Sequence, residues 1–136
     1  MEKLNILGTG HAMTLDCYNT CFTLENNEGE HILVDTGGGL QIIKQLLRDE
    51  VENADWLLHE AMCMDSEADI FKPYEKMHST VKTASKIAMS LNVKNLALYH
   101  ASDNDLENRK RLYTEEAKQY FNGNIYVPDD LDVIEL

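Results

Sequence analysis

Apolar positions fall into two periodicities along the chain. Residues 4–10, 21–26 and 31–36 are short, apolar or β-branched runs bounded by Gly- or Asn-rich turns, and the pattern predicts three strands. Asn26-Asn27-Glu28-Gly29 has the composition of a hairpin turn joining the second to the third. After Gly37-Gly38-Gly39 the spacing becomes helical, with Leu40, Ile43, Leu46 and Leu47 on one face to about Arg48. A strand follows over 55–60. Ser66 and Asp69 are spaced as a capping box for a short helical turn ahead of Pro73. Ser79 or Thr80 caps an amphipathic helix whose stripe is Val81, Ala84, Ile87, Ala88 and Leu91. A strand over 95–100, a helix over 106–121 burying Leu106, Leu112, Tyr113, Ala117, Tyr120 and Phe121, and strands over 124–127 and 131–136 complete the reading. Helices alternate with strands in the second half while a hairpin opens the first. The expected fold is therefore a layered α/β domain with a mixed sheet.

The polar residues that interrupt this pattern sit at element ends. Asp35 follows Ile32-Leu33-Val34, Glu60 follows Trp56-Leu57-Leu58-His59, His78 precedes the Ser79 helix, and His100 follows Leu96-Ala97-Leu98-Tyr99. In α/β proteins the carboxyl ends of parallel strands are where ligands bind, so the four are expected to share one edge, with Glu60 and His78 near hydrogen-bonding distance. Strand alternation puts Trp56, Leu58 and Glu60 on one side and Leu57 and His59 on the other, so His59 and Glu60 cannot serve the same site. Each residue also has an ordinary reading: Asp forms turns at strand ends, and a lone His at a boundary is commonly a hydrogen-bonded structural residue. Gly37, Gly38 and Gly39 open a helix after a strand and offer backbone amides to an anion, but the Lys and Ser/Thr of a phosphate-binding loop are missing. A structural tight turn is the competing reading there.

Charge and cysteine content narrow the classes. With 12 basic against 24 acidic residues the formal charge is −12, which opposes a polyphosphate partner such as tRNA unless basic residues cluster. The densest cluster, Arg109-Lys110-Arg111, is flanked by Glu107, Glu115 and Glu116 and reads as a solvated helix face. Cys17, Cys21 and Cys63 are odd in number and lack the two-residue spacing of zinc or redox motifs, so they are expected to be reduced thiols. No apolar run approaches eighteen residues and the first five residues carry no signal-like stretch. No membrane association is expected, and the location is expected to be cytoplasmic. A chain of 136 residues that is 43% hydrophobic is the size of one domain.

Several segments resemble one family. LNILGTGHAM, NTCFTL and ILVDTGGG are similar to the N-terminal third of the ribonuclease Z branch of the metallo-β-lactamase superfamily, and DWLLHEAMC, HSTVKTASKIA and LALYHAS to its C-terminal third. The resemblance implies a partial metallo-β-lactamase-like domain over residues 1–136, with the family's central portion missing at about 45–54. It implies that His100 is a metal ligand and that Asp35 orients metal-binding histidines. It also implies that Glu60 and His78 form the acid pair protonating the leaving oxygen when a phosphodiester or related ester is cut. The family works with two divalent metals, zinc or manganese, which make the hydroxide nucleophile and clamp the phosphate.

The departure is as specific as the match. The family's HxHxDH signature, a further His and a bridging Asp have no counterpart, and neither does a basic tRNA-gripping arm. The five histidines, at 11, 31, 59, 78 and 100, include no HxH or HxxxH pair. The chain is thus expected to be inactive alone and to bind no stoichiometric metal. Two other readings stand beside this one: a non-catalytic binding or scaffold domain, possibly a homodimer using apolar surface left uncovered, and an anion-binding module at Gly37–Gly39.

Overall fold

A computed structural model describes residues 3–9, 20–35 and 52–135. Among them six strands form one mixed sheet in sequential order: β1 (Lys3–Gly8), β2 (Cys21–Glu25), β3 (His31–Val34), β4 (Trp56–Glu60), β5 (Asn95–Tyr99) and β6 (Asn124–Tyr126). β1, β2 and β3 pair antiparallel, and β3 to β6 pair parallel. The helices are α1 (Ala68–Phe71), α2 (Val81–Ser90) and α3 (Leu106–Ala117). The expected mixed sheet and layered α/β arrangement are present.

The predicted hairpin turn forms as its composition dictates. The Asn26 side-chain oxygen accepts the Glu28 and Glu30 amides at 2.9 and 3.0 Å, and Gly29 takes a φ of 84°, which costs glycine nothing. Of the two proposed caps for α2, Thr80 serves: its hydroxyl accepts the Thr83 amide at 3.2 Å. Turning back from α3 into β6 requires Gly123. A Cβ there would stand 2.4 Å from the Phe121 ring and 2.5 Å from the Lys94 carbonyl oxygen.

Register assigns each side chain to a face. Cys21, Thr23, Leu33, Leu57, His59, Leu96 and Leu98 point to the face on which α2 and α3 pack, where Val81, Ala84, Ala88, Leu91, Tyr113, Ala117 and Phe121 complete a buried core. Its buried polar groups are paired: Thr23 accepts from Asn5 at 3.1 Å and Ser85 donates to the Val81 carbonyl at 2.7 Å. Leu4, Ile6, Phe22, Leu24, Ile32, Val34, Trp56, Leu58, Ala97, Tyr99 and Tyr126 point the other way, with Glu60 at the end of their row on β4.

Three expectations need correction. Residues 131–135 form no strand: Leu131 and Val133 are 99% and 89% exposed, and Asp129 and Asp132 instead tie the segment to Arg109 and Lys110 of α3 at 3.0 and 3.2 Å. Pro128, immediately before them, has no amide to continue a ladder. Leu106 is 57% exposed and not part of the core, because α3 enters the core through its later turns, at Tyr113 and Ala117. The turn before Pro73 begins earlier than Ser66: a 3-10 turn at Asp65–Glu67 leads into α1, and the Glu67 carboxylate accepts the Met64 amide at 3.2 Å. The predicted helix over 40–48, the Gly37–Gly39 turn and all of the 45–54 junction except residues 52–54 lie outside the described residues. No described helix is long and apolar enough to cross a membrane.

Candidate functional site

The carboxyl ends of β3, β4 and β5 place Asp35, Glu60 and His100 on one edge, as strand ends in a parallel sheet must be. Asp35 and His100 adopt left-handed conformations, with φ of 54° and 56°, immediately beyond their strands. Met77, just before His78, does the same at 60°. Non-glycine residues rarely sit there, and strain of this kind collects at sites where side-chain direction matters. The Asp35 amide donates to the Leu58 carbonyl at 2.8 Å, anchoring Asp35 one strand away from Glu60.

After Glu60 the chain runs alongside residues 79–81. Met62 donates its amide to the Ser79 carbonyl at 2.9 Å, Val81 donates to the Cys63 carbonyl at 3.0 Å, and Cys63 and Thr80 form a parallel bridge. This pairing brings the start of α2 against the end of β4. The Ser79 amide donates to one oxygen of the Glu60 carboxylate, and His78 Nδ1 stands 3.4 Å from the other. That second oxygen is buried and makes no hydrogen bond of good geometry at this distance, so the contact is a close approach of the two side chains. The His78 ring stacks on His100, with centroids 5.1 Å apart and planes inclined by 27°. Glu60, His78 and His100 are therefore one contiguous group, with Asp35 on the adjacent strand.

Two residues that sequence reasoning left out belong to this edge. Tyr99 is the register partner of Glu60 and shares its face, half-buried; burial, then the charges of Asp35 and Glu60, raise its phenol above the ordinary range. Alternation reveals its place once β4 and β5 are known to be neighbours. The Ser79 contribution is a backbone amide and leaves no mark on residue type. Cys21 supports the edge from below: its thiol donates to the Asp35 carbonyl at 2.9 Å, and burial, then the Asp35 charge, push its pKa up to about 12, which makes it unreactive. Cys63 is likewise buried and raised to about 11, by burial first and then by Glu67.

His59 is turned to the opposite face, as alternation requires, and is 1% exposed. Its Nδ1 lies 2.7 Å from the Glu60 carbonyl, which can only accept, so Nδ1 carries the proton. His31 lies at the amino end of β3, on the far edge of the sheet. Among the described residues no three His, Cys, Asp or Glu side chains are grouped to hold a metal ion.

Comparison with known proteins supplies the context for this edge. No protein-family model matches the sequence. Ribonuclease Z of Halorubrum lacusprofundi is 34% identical over 85 residues, 62% of this chain and 26% of that protein. The metallo-β-lactamase fold protein YhfI of Bacillus subtilis superposes on 93% of this chain and 47% of its own, with a TM-score of 0.62 at 18% identity. The short form of human tRNase Z superposes on 85% of this chain and 37% of its own, with a TM-score of 0.58 at 22% identity. Over those 85 residues the chain is similar to ribonuclease Z, and its fold is that of the metallo-β-lactamase fold proteins. The chain spans about a quarter of the length of the curated relatives it matches.

Proposed function

We propose that the chain carries the proton-donor half of a metal-dependent phosphodiester hydrolase site of ribonuclease Z type, without the half that makes the nucleophile. One observation carries this reading: the Glu60 carboxylate is held by the Ser79 amide on one oxygen and faces His78 Nδ1 with the other. A carboxylate fixed in this way orients an imidazole, and Nε2 is then the nitrogen left to deliver a proton to a leaving oxygen. His100, stacked on His78, is the proposed metal ligand, and Asp35 the proposed orienting residue beside it.

The donors do not fit a two-ion centre. Such a centre takes roughly six or seven ligands counting bridges. His59 is buried on the other face and committed to a carbonyl, and His31 is on the far edge. His11 lies outside the described residues. When bound, two metals would supply hydroxide at neutral pH and neutralise the phosphate; this chain's residues would position His78 and offer His100. The missing central portion at about 45–54 is the proposed reason for the shortfall. A tRNA substrate is further opposed by the charge of −12 and the absence of a basic arm.

Metal analysis with a phosphodiesterase assay tests the proposal. Plasma mass spectrometry on dialysed protein should find fewer than two zinc or manganese equivalents, and bis(p-nitrophenyl) phosphate should not be cleaved above background with either ion added. Two equivalents together with turnover abolished in His100→Ala would overturn it. The acid pair has its own readout: Glu60→Ala should move the imidazole NMR signals of both His78 and His100 and leave those of His31 unchanged. A scaffold role is favoured by a separate observation, the apolar face of the sheet that no described helix covers.

A further inference from the structure

We propose that Asn122 is a site of spontaneous covalent modification, where the Gly123 amide attacks the asparagine side chain and the turn before β6 ages to aspartate and isoaspartate. Asn122-Gly123 is the one Asn-Gly step in the sequence. Every other asparagine precedes a residue whose side chain crowds the attacking amide, whereas glycine leaves that nitrogen open and the backbone free to rotate. Asn122 is exposed, and the step lies between α3 and β6, outside both. Among the described residues none bonds to the Asn122 side chain or accepts the Gly123 amide, so both reacting groups are free. The ordinary reasons for an asparagine in a turn do not apply, since its φ is not left-handed and its side chain caps nothing.

The other asparagines show what restraint looks like. Asn27 is also exposed in a turn, but the amide that follows it, of Glu28, is held by the Asn26 side-chain oxygen at 2.9 Å. Asn92 donates to Asn53 at 2.7 Å, and Asn95 to the Asp55 carbonyl at 2.8 Å. Gly123 has no slower substitute, because a Cβ there would collide with the Phe121 ring and the Lys94 carbonyl oxygen. The fold therefore keeps the reactive step.

In the first step the Gly123 nitrogen bonds to Cγ of Asn122 and the Cγ–Nδ2 bond breaks. Ammonia leaves with the proton lost by the Gly123 amide, and a cyclic imide remains. Water then opens the imide. Attack at Cγ gives aspartate on the original backbone, and attack at the main-chain carbonyl gives isoaspartate, in which the chain runs through Cβ and Cγ. One water is consumed and one ammonia released, with no change of oxidation state.

Isoaspartate lengthens the backbone by one carbon where both flanks are fixed. Phe121 is 3% exposed in the core, and its amide donates to the Ala117 carbonyl at 2.9 Å. Beyond the turn, the Asn124 amide donates to the Lys94 carbonyl at 3.0 Å and its side chain to Asn95 at 2.8 Å. β6 gives way first, because it is a three-residue strand at the end of the described sheet whereas Phe121 is enclosed by the core. Its release takes Tyr126 away from Trp56, the single tryptophan, whose ring centroid lies 4.7 Å from that of Tyr126.

Ageing the purified chain in mildly alkaline buffer at physiological temperature tests the proposal, and peptide mapping of the wild-type chain needs no variant. Electron-transfer fragmentation of the tryptic peptide 119–136 should find aspartate and isoaspartate accumulating at position 122 on the order of tenfold faster than at Asn27. An isoaspartyl methyltransferase with labelled S-adenosylmethionine should label the aged wild-type chain, and aged Asn122→Gln, whose longer side chain closes the ring poorly, should lose most of that label. The isoaspartate fraction should show Trp56 emission shifted to the red and lost hydrogen-exchange protection over 124–126. Fresh Asn122→Asp, with an ordinary backbone, should keep both as in the unaged protein. Position 122 unchanged while Asn27 is modified, or modified only in urea, would overturn the proposal. Isoaspartate at 122 with Trp56 emission and exchange over 124–126 unaltered would overturn it equally, by showing that β6 absorbs the added atom.

Discussion

The two faces of the sheet are made from the same strands yet differ in a way that polarity alone would not predict. The helix-covered face is buried but contains Thr23 and His59, with Thr80 and Ser85 of α2 packed over it, and Thr23, His59 and Ser85 are hydrogen-bonded within the fold. The opposite face is more exposed, and Glu60 at its edge is the one charged side chain on its described strands. A surface that faced water would reverse this distribution. A buried polar group is tolerated where a partner is fixed, whereas an exposed apolar sheet is tolerated only where something comes to cover it.

The largest effect expected from this contrast is on stability. Leu57→Ala, on the covered face and fully buried, should cost about 2–5 kcal/mol in urea unfolding. Leu4→Ala, on the exposed face, should cost less than about 1 kcal/mol. Equal losses from the two would break the comparison. Next is the cap that fixes α2 on the covered face: Thr80→Ala should cost about 1 kcal/mol, and Thr80→Ser should restore most of it.

Smaller effects sharpen the picture at the sheet's margins and depend on pH. The Asp55 carboxylate accepts the His31 amide at 3.0 Å and pairs with Lys94. Burial would raise its pKa, but the hydrogen bonds from Lys94 and the His31 amide outweigh this and lower it. A lowered carboxylate contributes stability above its unfolded-state value that is lost as pH falls through the folded value. Asp55→Asn should therefore be less stable at pH 7, by about 1 kcal/mol at most since Lys94 is exposed, with the difference gone in strong acid. Glu116 has the opposite sign. Burial, partly countered by the Asp65 amide and reinforced by the Asp65 charge, raises its pKa, so its ionised form weakens the fold at neutral pH and protonation relieves this as pH falls. Glu116→Gln should be slightly more stable at pH 7, by no more than about 0.5 kcal/mol, and equal to wild type in acid.

Much of the candidate site is legible in the sequence, because strand ends are marked by a change from apolar to polar residues. Asp35, Glu60 and His100 follow apolar runs of three or four residues, and His78 precedes a capped helix. Their convergence follows once those strands are parallel neighbours. The Ser79 amide on Glu60 is not legible: it joins positions 19 apart through a backbone group, and depends on the bridge between Cys63 and Thr80. The strand expected over 131–136 fails for a related reason. Alternation of Leu131, Val133 and Ile134 with acidic residues looks like an edge strand, but pairing is settled by which neighbour has free backbone groups.

By itself the sequence determined the six described strands and the helices that follow β4 and β5, the opposite placement of His59 and Glu60, and the resemblance of its motifs to ribonuclease Z, since each of these is written in local spacing and residue type. The tertiary structure alone decided which face of the sheet is covered. In a parallel strand both faces are apolar, so alternation separates Leu57 from Trp56 without saying which meets a helix. That choice comes from the sequential order β3 to β6 and the right-handed sense of crossovers, which set α2 and α3 on the same side of the sheet.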